Sequence, residues 1–414
     1  MAQCRILLVW PPKVEYVFSI QKHFTYFGET AAFLGREPDV EVTVLDGTAL
    51  QHFAWAFIEA YASKFDFVLV YTDLHNSLQA IRAAQECKRI SPDSQVVSFG
   101  EGTAFAPRTY VEHGFDAAIV DAMYERSALS YIRWRRGDLA VDGLHGVVYA
   151  DNGAVQECPP RLPMTIDDIA FPALDLLPVA RYVEISGRNQ LCFTVARGCP
   201  YRCPFCRVPV AQAGGVAYRD AEAVLDYMEQ QRARWNSMKL IAPTFTADRE
   251  WVLDFCSRAA ARQSVGKWIV TTRLERLDQE LLRAMAQAGC IAIAFGLETL
   301  DVRTQERIGK HVTEDELRSQ VALIHDAGII PKAFIMLGIP GQTRSEVEAT
   351  FAKLRELRVE IRPKEYYPYE VFSAAADPMA LFERFDRQGV YRSPMPGVTA
   401  AQFVSWLRDR TSVR

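Results

Sequence analysis

Three cysteines, Cys199, Cys203 and Cys206, fall within one short stretch, VARGCPYRCPFCRVP, about halfway along the chain. Thiolates so close together bind soft or borderline metals, principally zinc or an iron–sulfur cluster. A structural zinc site needs four closed ligands. Cys192 could supply the fourth, but it sits inside an apolar, strand-like run and would have to leave it. A cubane cluster normally takes four thiolates. With three, one iron stays open to a substrate or cosubstrate, and an open iron implies catalysis. Gly198, Pro200 and Pro204 keep the loop non-helical, so its backbone can wrap a compact inorganic core. The other six cysteines (Cys4, Cys87, Cys158, Cys192, Cys256 and Cys290) are scattered, mostly in apolar surroundings, and read as small buried hydrophobes. Clustered thiols without a disulfide framework fit a reducing compartment.

Something must hold that loop in place. From residue 191 apolar runs alternate with helical segments: LCFTVARG, MKLIAPTF, KWIVTTR, CIAIAFGLE, KAFIMLG and KEYYPYEVF. Thr313 with Glu316 and Thr343 with Glu346 read as capping boxes, and Asp220 as a helix cap. Six βα-type strands without a clear seventh or eighth predict an incomplete barrel, a partial (β/α)6 TIM-barrel fold over 191–372. Such a barrel binds ligands at the carboxyl ends of its strands. The cysteine loop follows the first of them.

Residues 1–135 make a second alternating series, with strands predicted at 5–10, 42–46, 65–71, 95–100 and 117–121. Nearly continuous Val, Ile, Leu and Phe is what a parallel sheet covered on both faces demands. The fold class is therefore α/β, a doubly wound, Rossmann-like (flavodoxin-like) sheet followed by the partial barrel. Ligand loops are expected after the first, third and fourth strands, at PPKVEY, TDLHNS and GEGTAF. Residues 136–190 read as a linker with a hairpin turning at Asp151-Asn152-Gly153. Residues 373–414 read as a capping segment whose helix over 400–410 turns Phe403 and Leu407 inward.

The chain has 414 residues, 49% of them hydrophobic and 24% charged, with a formal net charge of −4. No apolar run approaches the roughly 18 residues that span a bilayer. The start, MAQCRILLVWPP, lacks the apolar length and cleavage site of a signal peptide, so a cytoplasmic location is expected. The absence of a long basic run weakens a nucleic-acid reading.

The motif CPYRCPFC resembles the CxxxCxxC signature of the radical S-adenosylmethionine (SAM) enzymes, including the aromatic Phe205 before the last cysteine. MAQAGCIAIAFGLET and IMLGIPGQT resemble two further stretches common in larger members. Residues 1–135 and the FPALDLLP linker are similar to the cobalamin-binding half of the cobalamin-dependent radical SAM group. The resemblance implies a 4Fe-4S cluster on Cys199, Cys203 and Cys206, with SAM on the open iron. It implies SAM contacts from Phe205, Arg273, Glu298 and Gly338, with Gly341 in the same turn. Cobalamin contacts are implied at Pro11, Pro12, Thr72, Asp73, His75, Ser98, Gly100, Glu101 and Gly102. Tyr366, Tyr367, Tyr369 and Glu370 are placed to line a substrate pocket.

The activity implied is methylation of an unactivated carbon, or a phosphinate phosphorus, of a small molecule or peptide. SAM is cleaved reductively, a 5′-deoxyadenosyl radical abstracts hydrogen, and the methyl group comes from methylcobalamin. A one-electron reductant such as flavodoxin or ferredoxin is the implied partner. Two other outcomes stay open: rearrangement or cyclisation without methylation, and a sheet that no longer binds cobalamin. The first loop lacks the DxHxxG histidine of many cobalamin modules. Methylthiolation of transfer RNA would require three further N-terminal cysteines, where only Cys4 and Cys87 stand. A non-catalytic cobalamin sensor would not need the open cluster.

Overall fold

The apolar runs near the amino terminus are buried on both faces: Ile6 to Trp10 and Val68 to Tyr71 are at most 1% exposed. Burial on two sides, with helices between the runs, yields a parallel sheet. In a computed structural model of the chain, residues 3–12, 20–50, 53–160, 165–208, 215–262, 264–367, 377–385 and 393–408 are described. The chain divides into two units, residues 1–188, 207–217 and 369–390 in the first, and 189–206, 218–368 and 391–414 in the second.

In the first unit, β1 (Cys4–Trp10), β2 (Val40–Asp46), β3 (Phe67–Thr72), β4 (Gln95–Gly100) and β5 (Ala117–Ile119) are parallel. Their order is β2-β1-β3-β4-β5, the flavodoxin-like order with its switch point between β1 and β3. The hairpin read as part of the linker forms β6 (Val147–Asp151) and β7 (Ala154–Cys158), which continue this sheet antiparallel to β5. β5 has only three residues, and β6 covers the edge it would otherwise expose. Asn152 and Gly153 take φ of 49° and 79°, as a two-residue hairpin turn requires.

The FPALDLLP segment is anchored. Ala173 donates its N–H to the Gly28 carbonyl at 3.0 Å, and a methyl group on Gly28 would lie 2.8 Å from Pro172. Gly28 closes a six-residue π-helix, His23–Gly28, all of it buried. Extended π-helix is rare, and periodicity gives no sign of it.

The second unit contains β8 (Gln190–Thr194), β9 (Ala196–Gly198), β10 (Val216–Tyr218), β11 (Ser237–Ile241), β12 (Trp268–Thr272), β13 (Cys290–Glu298), β14 (Ile330–Leu337) and β15 (Glu360–Glu365). Residues 216 and 217 of β10 group with the first unit. Six of these strands form one open parallel sheet, ordered β15-β14-β13-β12-β11-β8. That is the expected half-barrel, one strand beside the next in chain order. Both capping boxes are present, and Asp220 accepts from the Ala223 N–H.

The sixth strand departs from expectation. It spans Glu360–Glu365 instead of 364–372, and residues 368–376 lie outside those described. Pro363 argues against a central strand, but β15 is an edge, where a missing N–H costs nothing. The carboxyl-terminal helix, Ala400–Arg408, buries Phe403 and Leu407 as expected. Among the described residues no helix is long and apolar enough to cross a membrane.

Candidate functional site

The cysteine loop leaves β9 at Gly198, whose φ of +83° is a left-handed value that suits glycine. A turn bond from the Cys206 N–H to the Cys203 carbonyl, 3.0 Å, shapes the loop's far end. Phe205 is buried with Ile308 and Ile339, and Cys203, Cys206, Met336 and Tyr366 pack against that cluster. The aromatic thus pins the loop to the carboxyl end of β14 and to Ile308, in the segment that follows β13. All three thiols are unbridged and half-buried. Cys199 Sγ lies 3.4 Å from Thr244 Oγ1, and Cys203 Sγ accepts from Arg273 Nη1 at 3.4 Å.

Among the described residues no three His, Cys, Asp or Glu side chains converge to hold a single metal ion. A zinc site needs such convergence. A cubane does not, because each thiolate ligates a different iron. Three thiols on one loop are the donor chemistry of an iron–sulfur cluster.

Glu298 ends β13 beyond a bulge: Gly296 pairs with Phe334, but Glu298 pairs with Ile335. The extra residue re-aims the side chain and leaves Glu298 at φ +69°, an uncommon value for a residue with a Cβ. The carboxyl is buried, 7% exposed. Burial pushes its pKa up to about 7, against the pull of Lys310 and Arg273. Lys310, itself buried, donates to the Gly296 carbonyl at 3.0 Å. Sequence reasoning missed Lys310; the only signal was a cation in the loop following β13. Arg273, Leu274, Lys310, His311 and Gln320 line a cavity of about 200 Å³ beside this group.

Gly338 (φ +90°) and Gly341 (φ +78°) flank the turn after β14. The Gly338 N–H donates to Gln342 Oε1 at 2.8 Å, and Gln342 Nε2 donates back to the Met336 carbonyl. Tyr366 bonds the Leu337 carbonyl through its N–H, while the Tyr367 hydroxyl donates to Glu365 at 3.2 Å. Tyr369 and Glu370 lie outside the described residues.

In the first unit the expected residues gather at the ends of β1, β3 and β4. Pro11 and Pro12 are buried just after β1. Thr72 Oγ1 accepts from the Thr103 N–H at 2.8 Å, and Asp73 accepts from the N–H groups of His75 and Asn76. His75 Nδ1 lies 3.2 Å from the Phe385 carbonyl, and that contact occupies one ring nitrogen. Ser98 is buried within β4. Gly100 has φ +110°, and a methyl group there would lie 2.7 Å from the Thr72 carbonyl; on Gly102 it would lie 2.6 Å from the Tyr110 hydroxyl. Glu101 is buried and paired with Lys22, at 3.0 Å, and with Arg207. Sequence reasoning found neither cation, since one lies beside the π-helix and the other just past the cysteines.

Two aromatic features were also missed. Trp10 stacks between His23 and Tyr71, each ring centroid at 3.9 Å. Tyr71 carries a buried hydroxyl that, among the described residues, has no hydrogen-bond partner. Burial, with the Glu101 and Asp73 carboxylates, pushes its pKa well above the ordinary phenol value.

The radical SAM superfamily model matches residues 193–354. An uncharacterized methyltransferase of Pyrococcus horikoshii is 26% identical over 369 residues, covering 87% of this chain and 80% of its own length. The radical S-adenosylmethionine methyltransferase TsrM from Kitasatospora setae, solved with cobalamin and a 4Fe-4S cluster, superposes with a TM-score of 0.71. Its identity is 18%, over 90% of this chain and 74% of TsrM. The cobalamin-dependent radical enzyme OxsB, solved with aqua-cobalamin and SAM, gives 0.68 at 15% identity, over 92% of this chain and 56% of OxsB. With the half-barrel, the cysteine loop and the flavodoxin-like sheet all in place, residues 193–354 match the radical SAM superfamily and the chain shares its fold with TsrM and OxsB.

Proposed function

We propose that the chain is a cobalamin-dependent radical SAM methyltransferase acting on an unactivated carbon, or a phosphinate phosphorus, of a small molecule or peptide. One observation carries the reading. The three loop thiols follow β8 and β9, and one of them, Cys203, is joined through Arg273 to the buried Glu298–Lys310 group. The methyltransferase name of the Pyrococcus relative and the ligands of TsrM and OxsB support it.

When bound, the 4Fe-4S cluster supplies the electron that cleaves SAM, and cobalamin supplies the carrier for the methyl group. Cys199, Cys203 and Cys206 would hold three irons and leave the fourth to the SAM amino and carboxylate groups. Glu298, re-aimed by its bulge, would accept hydrogen bonds from the SAM amino group or ribose hydroxyls. Arg273 would meet the SAM carboxylate. The strained turn at Gly338 lets backbone approach the adenosyl moiety. Phe205 and its apolar cluster keep water from the loop. Tyr366 and Tyr367 offer polar-tipped rings to substrate.

The first unit fits cobalamin by two observations: the strand-end loops at the switch point, and the buried Tyr71 hydroxyl, without a partner among the described residues, beside Asp73 and Glu101. Pro11, Pro12, Thr72, Asp73, Ser98, Gly100, Glu101 and Gly102 would make that cradle, with His75 at its rim. A flavodoxin or ferredoxin would deliver the electrons.

Anaerobic reconstitution with iron, sulfide and cobalamin tests the reading. Incubation with SAM and a low-potential reductant should yield both 5′-deoxyadenosine and S-adenosylhomocysteine. The first product alone would replace methylation by rearrangement. A stoichiometric tetrahedral zinc, with no SAM cleavage after reassembly, would end the case.

A further inference from the structure

Around Arg273, beside the cysteine loop, stand Tyr201, Glu275 and Arg276, to which the catalytic reading gives no task. Arg276, exposed, donates through Nε to the Tyr201 hydroxyl at 2.5 Å. On the same ring lies Arg273, its guanidinium carbon 4.0 Å from the centroid. Arg273 Nε is held by Glu275, and Arg273 Nη1 is the group that reaches Cys203 Sγ at 3.4 Å. One guanidinium is thus fixed by an aromatic face and a carboxylate, with a remaining donor aimed at a thiol sulfur. Its side chain is only 20% exposed, so solvent and salt screen it weakly.

A donor and a positive charge on a ligating sulfur act on redox chemistry in one direction. One-electron reduction adds negative charge to a cluster, and a nearby guanidinium stabilises that added charge more than it stabilises the oxidised form. Sulfur hydrogen bonds are among the levers that spread cluster potentials over a wide range. Resting on the cluster assignment above, we propose that Arg273, clasped by Tyr201 and Glu275, is a positioning residue that raises the reduction potential of the cluster through Cys203. Tyr201 is then the platform that keeps the guanidinium on the sulfur.

The test uses the full chain, reconstituted anaerobically and kept free of SAM, so that any role of Arg273 toward the SAM carboxylate does not enter. Dithionite with mediators supplies the electrons, and the reduced cluster is read by electron paramagnetic resonance. Arg273→Met should shift the midpoint to lower potential. At the wild-type midpoint its ratio of reduced to oxidised cluster should fall about tenfold, ~59 mV for a one-electron couple. Arg273→Lys should recover part of the shift. Tyr201→Leu, which removes the platform, should move the midpoint the same way by a smaller amount, whereas Tyr201→Phe, which keeps the ring, should leave it in place.

An unchanged midpoint in an Arg273→Met protein with full iron content overturns the proposal. Loss of iron from both Arg273→Met and Tyr201→Leu would make the clasp a strut for cluster retention and overturn it equally. A wild-type chain that takes up no paramagnetic cluster would defeat the assignment of the site itself, a different failure.

Discussion

Glu298 and Lys310 meet over the Gly296 peptide, where the lysine ammonium donates to the carbonyl at 3.0 Å and favours the ionised form of the carboxyl beside it. Burial outweighs that help, and the carboxyl titrates near 7 instead of its ordinary 4.5. The folded chain therefore keeps a proton between those two values that the unfolded chain has lost. Stability should fall as pH rises through this window. Glu298→Gln should flatten the fall and gain about 3 kcal/mol at pH 8, from ~1.4 kcal/mol per pH unit. Urea melts between pH 5 and pH 8 check this, and a flat wild-type profile would refute it. On the role proposed for Glu298, SAM binding should move oppositely, strengthening as Glu298 ionises, and should weaken in the variant.

Asp46, at the end of β2, should set the acid limit of the first unit. Its Oδ2 accepts from the Tyr182 hydroxyl at 2.5 Å and lies 2.6 Å from His23 Nδ1; its Oδ1 accepts from the N–H groups of Thr48 and Ala49. Burial alone would raise its pKa, but these partners together hold it below the ordinary 3.8. The stabilisation is therefore complete above that value and is lost as pH falls below it. Asp46→Ala should cost about 3–5 kcal/mol at pH 7, the penalty for breaking a buried charged network. Measured at pH 3, the difference from wild type should shrink. A constant difference across pH would assign the loss to packing alone.

Much of this architecture was legible in the sequence because its signals are local. The β13 run CIAIAFGLE occupies the bounds its apolar pattern gives, and the Thr313 and Thr343 boxes cap their helices through contacts three residues apart. The cysteine spacing likewise announced the loop. What escaped depends on partners distant in sequence. Lys22 finds Glu101 79 residues away, and Tyr182 reaches Asp46 over 136 residues. The Glu298 bulge is a register shift between two strands, which a single strand's pattern does not carry. The edge position of β15, which admits Pro363, is a property of the sheet.

Gly338 should tolerate no side chain. Its φ is +90°, and a methyl group there would lie 2.7 Å from Pro394 Cγ and 3.7 Å from the Phe403 ring. Strain and overlap add, so Gly338→Ala should destabilise the chain by about 2–4 kcal/mol. Chemical denaturation measures it. A loss below ~0.5 kcal/mol would show that the turn relaxes and that its shape is not imposed by glycine.

Tyr71 offers the sharpest separation of fold from function in the first unit. Its ring packs against Trp10, Tyr26 and Phe99, so it is fixed by stacking whether or not a ligand is bound. Its hydroxyl is buried with no partner among the described residues, a burden of about 1–3 kcal/mol on the cofactor-free chain. Tyr71→Phe keeps the ring and removes that burden, so the cofactor-free variant should be the more stable by about that amount. If the hydroxyl serves cobalamin, the same change should weaken cobalamin uptake several-fold, from a lost hydrogen bond of about 1 kcal/mol. Equilibrium dialysis with hydroxocobalamin, beside a denaturation curve without it, reads both effects on one protein. A variant that is stabilised yet binds cobalamin as tightly as wild type would leave the hydroxyl a defect of packing and remove it from the cradle. A variant that is destabilised would mean that the hydroxyl is already satisfied within the fold.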